Sequence, residues 1–151
     1  MTLTIDNFDG MGARDYTGTV DVEHAPRVHR RLNSPAELRF SLLASSPDFV
    51  VPALGARVVL ARAAGGKTFT GYLGQAPEYE YLGWGERGPI YRYAFFAQGD
   101  ELLLDHKLLP ARPPFVSRAA GDVLRQLAED VLPGAFDTSA VQSVATLPYF
   151  S

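Results

Sequence analysis

Near position 100, four residues have the types that could bind a metal: Asp100, Glu101, Asp105 and His106. Carboxylates and imidazole are common ligands, but a metal site needs its ligands to converge on one point. Asp100 and Glu101 are adjacent, and on a strand their side chains would point to opposite faces. We therefore interpret the group as a solvated loop that leads into a helix, and we predict no metal site.

Other residues that could do chemistry lack the spacing that the chemistry needs. His24 and His29 lie five positions apart on either side of a proline, which is not a zinc-binding spacing. The glycine turn before Lys67 leads into a strand and lacks the pattern of a phosphate-binding loop. Members of a Ser-His-Asp site can be distant in sequence, but nothing resembles a nucleophile elbow. We predict a protein that is not an enzyme, with no catalytic residues and no cofactor.

The densest chemical feature is a block of aromatic residues between positions 79 and 96. Its rings could stack against sugars or bases, or they could fill a β-barrel core and a subunit contact. Proteins that bind single-stranded nucleic acid place aromatic rings beside a basic groove, whereas acidic residues accompany this block. We favour the core and contact interpretation, with a carbohydrate-binding surface as the alternative. The rings belong to Tyr79, Tyr81, Trp84, Tyr91, Tyr93, Phe95 and Phe96, and the acidic residues are Glu78, Glu80 and Glu86.

Composition limits the class of protein. The chain has 151 residues, of which 46% are hydrophobic and 21% charged, so one ordinary domain with a normal core is expected. The net charge of −3 and the scattered basic residues argue against a surface that tracks phosphates. There is no cysteine, and the first residues lack the pattern of a signal peptide. No stretch approaches 18 apolar residues, so we predict no membrane insertion.

The elements that must position these residues are mostly strands. "ELRFSLLA" (37–44) alternates apolar and polar residues, as a half-buried strand does. Residues 56–73 predict a hairpin that turns at the paired glycines of "AAGGK". "LTIDNF" (3–8) predicts a short leading strand, and one or two further strands are expected around Pro26.

The aromatic block lies on a second hairpin, whose register the side chains predict. If Tyr81 lies opposite Tyr91, then Glu80 faces Arg92 and Tyr79 faces Tyr93. Aromatic and opposite-charge pairs across strands are both favourable. A slip of one residue would place Glu80 against a tyrosine and lose these pairs.

After residue 100 the pattern becomes helical. "SRAAGDVLRQLAEDVLPG" carries an apolar stripe at helical spacing, with Ser117 as the expected N-cap and a stop at Pro133-Gly134. "ELLLDHKLL" fits a helical turn or a strand, and the tail "TSAVQSVATLPYFS" predicts another strand. The predicted fold is mainly β (α+β): an antiparallel β-barrel or split sandwich with one flanking amphipathic helix near residues 117–132.

The order of four phrases resembles one family. The phrases follow each other between residues 30 and 134, and the resemblance extends over roughly residues 18–134: "RRLNSPAELRFSL", "VPALGARVVLARAAGGKTFTGYL", "YRYAFFAQGDELLLDHKLL" and "SRAAGDVLRQLAEDVLPG". This order is similar to that of the N-terminal, tube-like domain of baseplate hub (tail hub) proteins from long-tailed phages and related contractile injection systems. "FTGYL" and "AGDVL" carry little alone; their order and spacing make the resemblance.

The resemblance implies a structural protein of the virion tail, made in the host cytoplasm, that forms a ring connecting tail tube to tail tip. It implies homo-oligomers (a trimer for a full hub), contacts with a tail tube protein and a spike or tip protein, and a channel through which DNA passes without specific binding. Residues 1–151 are then one tube-like domain of a longer hub protein, with 135–151 as the start of a second element. The interface candidates are Trp84, Arg87, Tyr91, Tyr93 and Asp100.

Overall fold

A computed structural model describes residues 1–32, 34–105, 114–134, 136–143 and 146–150. The chain divides into two compact units, residues 1–102 and 103–151. The strands are β1 (Thr2–Asp6), β2 (Arg14–Asp15), β3 (Arg27–Arg31), β4 (Ser34–Ala44), β5 (Arg57–Ala61), β6 (Lys67–Leu73), β7 (Glu78–Gly85), β8 (Gly88–Gly99), β9 (Phe115–Ala119) and β10 (Thr146–Phe150). The helices are α1 (Leu102–Asp105) and α2 (Ala120–Val131), and a 3-10 turn spans Thr17–Thr19.

The first unit is an antiparallel sheet that closes on itself. The strands follow the order β2-β1-β5-β6-β8-β4-β3, and β7 pairs with β8 beside this path. β2 pairs with β1, and a few residues later Val20 forms an antiparallel bridge with Leu42 of β4. The main-chain N–H of Asp21 also donates to the Ser41 carbonyl at 2.9 Å. Residues 14–21 therefore join β1 to β4, which closes the sheet into a small barrel.

The barrel interior is filled by the alternate apolar residues of its strands. Leu38, Phe40 and Leu42 of β4 are buried, as the period of two in this strand predicts. The Phe40 and Phe95 rings stack with centroids 5.1 Å apart across the β4–β8 pair. The remaining buried residues of this core include Leu3, Ile5, Tyr16, Val58, Leu60, Phe69, Leu73 and Ala97.

The hairpin predicted over residues 56–73 is confirmed as β5 and β6. Within it, Gly71 occupies a position that only glycine fits. A Cβ built at Gly71 would lie 2.0 Å from the Gln98 carbonyl oxygen and 2.7 Å from the Phe69 ring. The glycine of the "FTGYL" phrase therefore lets β6 approach the end of β8, where Gly71 is paired with Gly99.

The predicted register of the second hairpin is confirmed. Tyr81 lies opposite Tyr91, Glu80 opposite Arg92, and Tyr79 opposite Tyr93. A bulge follows between Tyr81 and Gly83, and two residues, Glu86 and Arg87, form the turn between β7 and β8. The bulge was not predicted; it moves Trp84 opposite Pro89 and so keeps Trp84 on the tyrosine-bearing face.

The second unit contains the predicted helix, with two corrections. α2 begins at Ala120, and Ala119 is its N-cap without a side-chain hydrogen bond, so the prediction of Ser117 as N-cap is wrong. Ser117 instead belongs to β9, with a left-handed φ of 54°. Leu124 and Val123 both belong to the apolar stripe that the sequence predicts, but Leu124 is exposed and only Val123 of the two is buried. The buried face of α2 is therefore narrower than the spacing of its apolar residues predicts.

The two strands of this unit pair with each other, β9 against β10, which confirms the strand predicted in the tail. Gly121, from the "AGDVL" phrase, allows a close approach of the chain. A Cβ there would lie 2.3 Å from the Gln142 carbonyl oxygen. Beside it, the Ser143 hydroxyl donates to the Asp122 carboxylate at 2.6 Å. This part of the phrase therefore holds the segment around residue 142 against the start of α2.

The predicted fold class, mainly β with one amphipathic helix, is confirmed. None of the described helices is long and apolar enough to cross a membrane. That residues 1–151 form one tube-like domain of a longer protein stays a prediction.

Candidate functional site: the β7–β8 hairpin

The β7–β8 hairpin is a largely exposed part of the first unit. β7 pairs with β8 along its whole length and, among the described strands, with no other. None of the residues of β7 is buried, although six of its eight positions carry Tyr, Trp, Leu or Glu side chains, in the segment "EYEYLGWG". The hairpin therefore presents a two-stranded surface of large side chains outside the barrel core.

One face of the hairpin is a row of tyrosines that continues from the core. Tyr79 contacts both Tyr91 and Tyr93, with ring centroids 6.1 and 6.0 Å apart, and Tyr81 lies 5.6 Å from Tyr91. Tyr93 in turn stacks on Phe49, which is packed against the barrel core. The row thus runs from the buried interior to the exposed face without a break.

Exposure differs between the two strands that carry this row. Tyr91 and Tyr93 are half-buried, whereas Tyr79 is 71% exposed, Tyr81 is 56% exposed and Trp84 is 76% exposed. Arg87, in the turn itself, is also exposed. The aromatic block therefore has two parts. The rings of β8, the strand that pairs with β4, are buried or half-buried, and the rings of β7 are exposed to solvent.

The opposite face of the hairpin is held by an ion-pair network around Arg92. Its Nε donates to Asp21 Oδ2 at 2.7 Å, and its Nη1 donates to Glu80 Oε2 at 3.1 Å. Glu23 lies within 3.8 Å of the same guanidinium. Glu80 belongs to β7 and Asp21 to the segment that closes the barrel. Arg92 therefore ties the hairpin to the barrel wall, opposite the tyrosine face.

Asp21 is the buried member of this network, with 2% of its surface exposed. Burial by itself raises the pKa of its carboxyl group. Hydrogen bonds from the Glu23 main-chain N–H at 3.0 Å, from His24 and from Arg92 favour the charged form and outweigh burial, so the pKa lies below its ordinary value of 3.8. The hydrogen bond that Arg92 donates to Asp21 likewise raises the pKa of Arg92. The pair is therefore fully charged at neutral pH.

Asp21, Glu23 and His24 also place their ligand atoms within 4.8 Å of one another. His24 Nδ1 lies 2.9 Å from the same Asp21 oxygen that accepts from Arg92. A guanidinium already provides the positive charge at this carboxylate, so the cluster is explained by the hairpin anchor. The prediction of no metal site stays a prediction.

Asp100 lies apart from the other four interface candidates, beyond the end of β8 that is farthest from the hairpin turn. Its carboxylate is 3.4 Å from Arg57 Nη2, and its main-chain N–H donates to the Thr70 carbonyl. These contacts give Asp100 a structural role where β8 meets β5 and β6. Of the acidic group around it, Glu101 is exposed, Asp105 ends α1, and His106 lies outside the described residues.

Sequence reasoning missed Asp21, which contributes most of the anchor. It lies 71 positions from Arg92, and neither charge pattern nor periodicity relates them. The only signal available was the predicted Glu80–Arg92 pair, which identified the arginine but not its buried partner.

The chain matches no model of a known protein family and has no significant match among curated proteins.

Proposed function

We propose that this chain is a structural, non-enzymatic subunit of a phage-like tail baseplate, in which it forms a ring that connects tail tube to tail tip. We further propose that the β7–β8 hairpin provides one of the contacts between subunits. The observation that carries the proposal is the exposed aromatic face of this hairpin, attached to a small closed barrel. The order of phrases along the sequence supplies the link to tail hubs.

Exposed aromatic side chains favour a surface that binds another protein over one that has no partner. Tyr and Trp are enriched in interfaces because each buries a large area at a small cost in side-chain entropy. Trp84 and the exposed tyrosines form one continuous face rather than isolated residues. A contiguous patch of this kind is typical of a surface that a partner covers.

The anchor at Arg92 supports the same proposal. A two-stranded hairpin is marginally stable alone, and ordering it at the moment of binding would reduce affinity. Here Asp21 and Glu80 hold Arg92 from two sides, so the hairpin is ordered before any partner arrives. A preorganised hairpin fits a subunit that must join an assembly in one geometry.

Replacement of Trp84 by alanine tests the proposal. We expect Trp84→Ala to lower the association constant at least tenfold, while the monomer keeps its circular dichroism spectrum and melting temperature. Sedimentation velocity over a range of protein concentrations measures the association. Leu54→Ala is the matched control, since Leu54 is 64% exposed and lies outside the hairpin. Equal assembly of wild type and Trp84→Ala, or a wild type that stays monomeric at every concentration, contradicts the proposal.

The exposed rings also favour a second candidate, a carbohydrate-binding module for host receptor recognition. Sugar rings stack on exposed aromatic faces, and Tyr79, Tyr81 and Trp84 offer three on one side of a hairpin. A glycan array distinguishes this function from assembly. Binding of a defined glycan that Trp84→Ala abolishes supports it, whereas no binding to any glycan by a folded wild-type protein counts against it.

A further inference from the structure

We infer that β3 and β7 are the two complementary sides of a head-to-tail contact between copies of this chain, in which the acidic edge of β7 pairs with the basic edge of β3. The inference rests on the proposed assembly and names the surfaces that form it.

Both strands have a free edge. Within the described residues, β3 pairs only with β4, and β7 pairs only with β8. No other main-chain hydrogen bond reaches β3 or β7 from the described part of the chain. A free edge offers a row of unpaired N–H and C=O groups to which another strand can add.

The two edges carry opposite charge. β3 reads "RVHRR", with three arginines, one histidine and no acidic residue. β7 reads "EYEYLGWG", with two glutamates and no basic residue. Every residue of β3 except Val28 is exposed, and so are the first five residues of β7.

Among the described residues, Arg30 of β3 donates to the Thr68 carbonyl, and the side chains of the other two arginines of the strand have no partner. Arg27 lies directly opposite Arg39 on β4, a like-charge pair that destabilises a sheet. No ion pair or hydrogen bond engages the side chain of Arg27 or Arg31 among the described residues. Both line a groove of about 750 Å³ on the outer face of the sheet, together with Arg39 and His29. An acidic partner strand would relieve this unfavourable concentration of positive charge.

The charge pattern also decides which pairings are allowed. Charged edge strands commonly prevent uncontrolled association, since like charges repel when two equal edges meet. Here that rule excludes β3 against β3 and β7 against β7, which are the contacts of a two-fold dimer. It permits β3 against β7, a contact between two different surfaces. Such contacts repeat from copy to copy and close into a ring when the rotation allows.

The side chains of the two edges face the same side of the sheet. Glu78 lines the same outer groove as Arg27 and His29. When β7 of one copy adds to β3 of the next, the outer face of one sheet continues into the outer face of its neighbour. The acidic and basic side chains then meet across the new strand pair, as favourable cross-strand partners do.

Charge reversal at one residue on each edge tests the inference. Glu78→Arg and Arg27→Glu should each lower the association constant at least tenfold in sedimentation velocity. Glu78 has no ion-pair partner among the described residues, and Arg27→Glu places opposite charges where two arginines faced each other. Both variants should therefore fold, which circular dichroism and thermal melting check. The double variant Glu78→Arg/Arg27→Glu should restore association to within threefold of wild type.

Two exposed residues outside both edges provide charge-matched controls. Asp48→Arg and Lys67→Glu change the net charge by the same amounts and should leave association within threefold of wild type. If the wild type assembles and Trp84→Ala weakens it, but the single reversals have no effect or the double variant stays weak, the edge contact is wrong and the proposed function stands. A wild type that remains monomeric at every concentration overturns both.

Discussion

The two halves of β8 both carry aromatic residues, but the surroundings of the two halves differ. Gly88–Ala94 forms the hairpin with β7, and none of its residues is buried. Phe95–Gly99 continues the same strand, with alternate residues Phe95, Ala97 and Gly99 buried. Both halves alternate in the same phase, so Tyr91, Tyr93 and Phe95 share one face. Tyr91 and Tyr93 in the first half are half-buried, whereas Phe95 in the second half is buried in the barrel core.

Alternation of residues along a strand therefore defines one face of a sheet, but it does not determine which part of the molecule covers that face. Phe95 is covered because β4 places Phe40 against it and the closed sheet supplies the opposite wall. On the same face, Tyr93 is only partly covered, by Phe49, and Tyr79, Tyr81 and Trp84 of β7 are exposed. An exposed aromatic face on an ordered strand is then available for a partner, whereas the same face inside the barrel contributes stability.

The largest loss of stability is expected in the barrel core around the second half of β8. Phe40→Ala removes a buried ring that stacks on Phe95 and leaves a cavity that the closed sheet cannot fill. We expect it to lower the free energy of unfolding by about 4 kcal/mol, measured by urea denaturation. Phe8→Ala is the matched control, since Phe8 is 63% exposed and should change stability by less than about 0.5 kcal/mol. A small effect at Phe40 would mean that the barrel interior is not packed.

A somewhat smaller effect is expected where β6 meets the core half of β8. Gly71→Ala would drive a methyl group into the Gln98 carbonyl, a main-chain atom that cannot move without disturbing the strand pair. We expect a loss of about 3 kcal/mol in the free energy of unfolding. Gly18→Ala is the control, because a Cβ there meets no atom within 4 Å. Equal stability of the two variants would contradict the close approach of β6 and β8.

Much of this architecture could be predicted from sequence because it depends on local patterns. The 56–73 hairpin follows from paired glycines between two strand-like runs, and the Tyr79, Glu80 and Tyr81 register follows from matching side chains across a short turn. The N-cap at Ser117 failed because "FVSRA" pairs with β10, a long-range contact that no local signal reveals.

The candidate site was predicted in part for the same reason. Trp84 and Arg87 are exposed beside or within a glycine-flanked turn, as expected of such a loop. The half-burial of Tyr93 depends on Phe49, and the anchoring of Arg92 depends on Asp21. Both contacts form only when the barrel closes. Closure rests on the bridge between Val20 and Leu42, for which the sequence carries no pattern.

An intermediate loss of stability is expected at Asp21, where the hairpin is anchored to the barrel. Asp21→Asn keeps the shape of the side chain but removes the charge that Arg92 and His24 contact. We expect a loss of about 2 kcal/mol in the free energy of unfolding at pH 7. Asp48→Asn, at an exposed carboxylate, is the control and should have little effect. If Asp21→Asn were as stable as wild type, the network would not hold the hairpin.

The stability difference between wild type and Asp21→Asn should also depend on pH. The pKa of Asp21 is lower in the folded chain than its ordinary value of 3.8, so its stabilisation is fully present above about pH 5. It is lost as the pH falls through 3.8 toward the lowered pKa. The stability difference between wild type and Asp21→Asn should therefore shrink as the pH falls from 5 to 2.5. A difference that stays constant over this range would mean that the pKa of Asp21 is not lowered.

The smallest loss of stability is expected on the exposed hairpin, at Tyr79. Tyr79→Ala removes a ring that contacts Tyr91 and Tyr93 but is 71% exposed. Cross-strand aromatic pairs contribute little when one ring remains in water, so we expect a loss of about 0.5 kcal/mol in the free energy of unfolding. In the proposed assembly, association of the subunits should nevertheless weaken in sedimentation velocity, because the lost ring belongs to the proposed contact face. A loss of stability comparable with that of Phe40→Ala would show that the hairpin rings belong to the core, and the division of β8 into a stabilising half and a contact half would then be wrong.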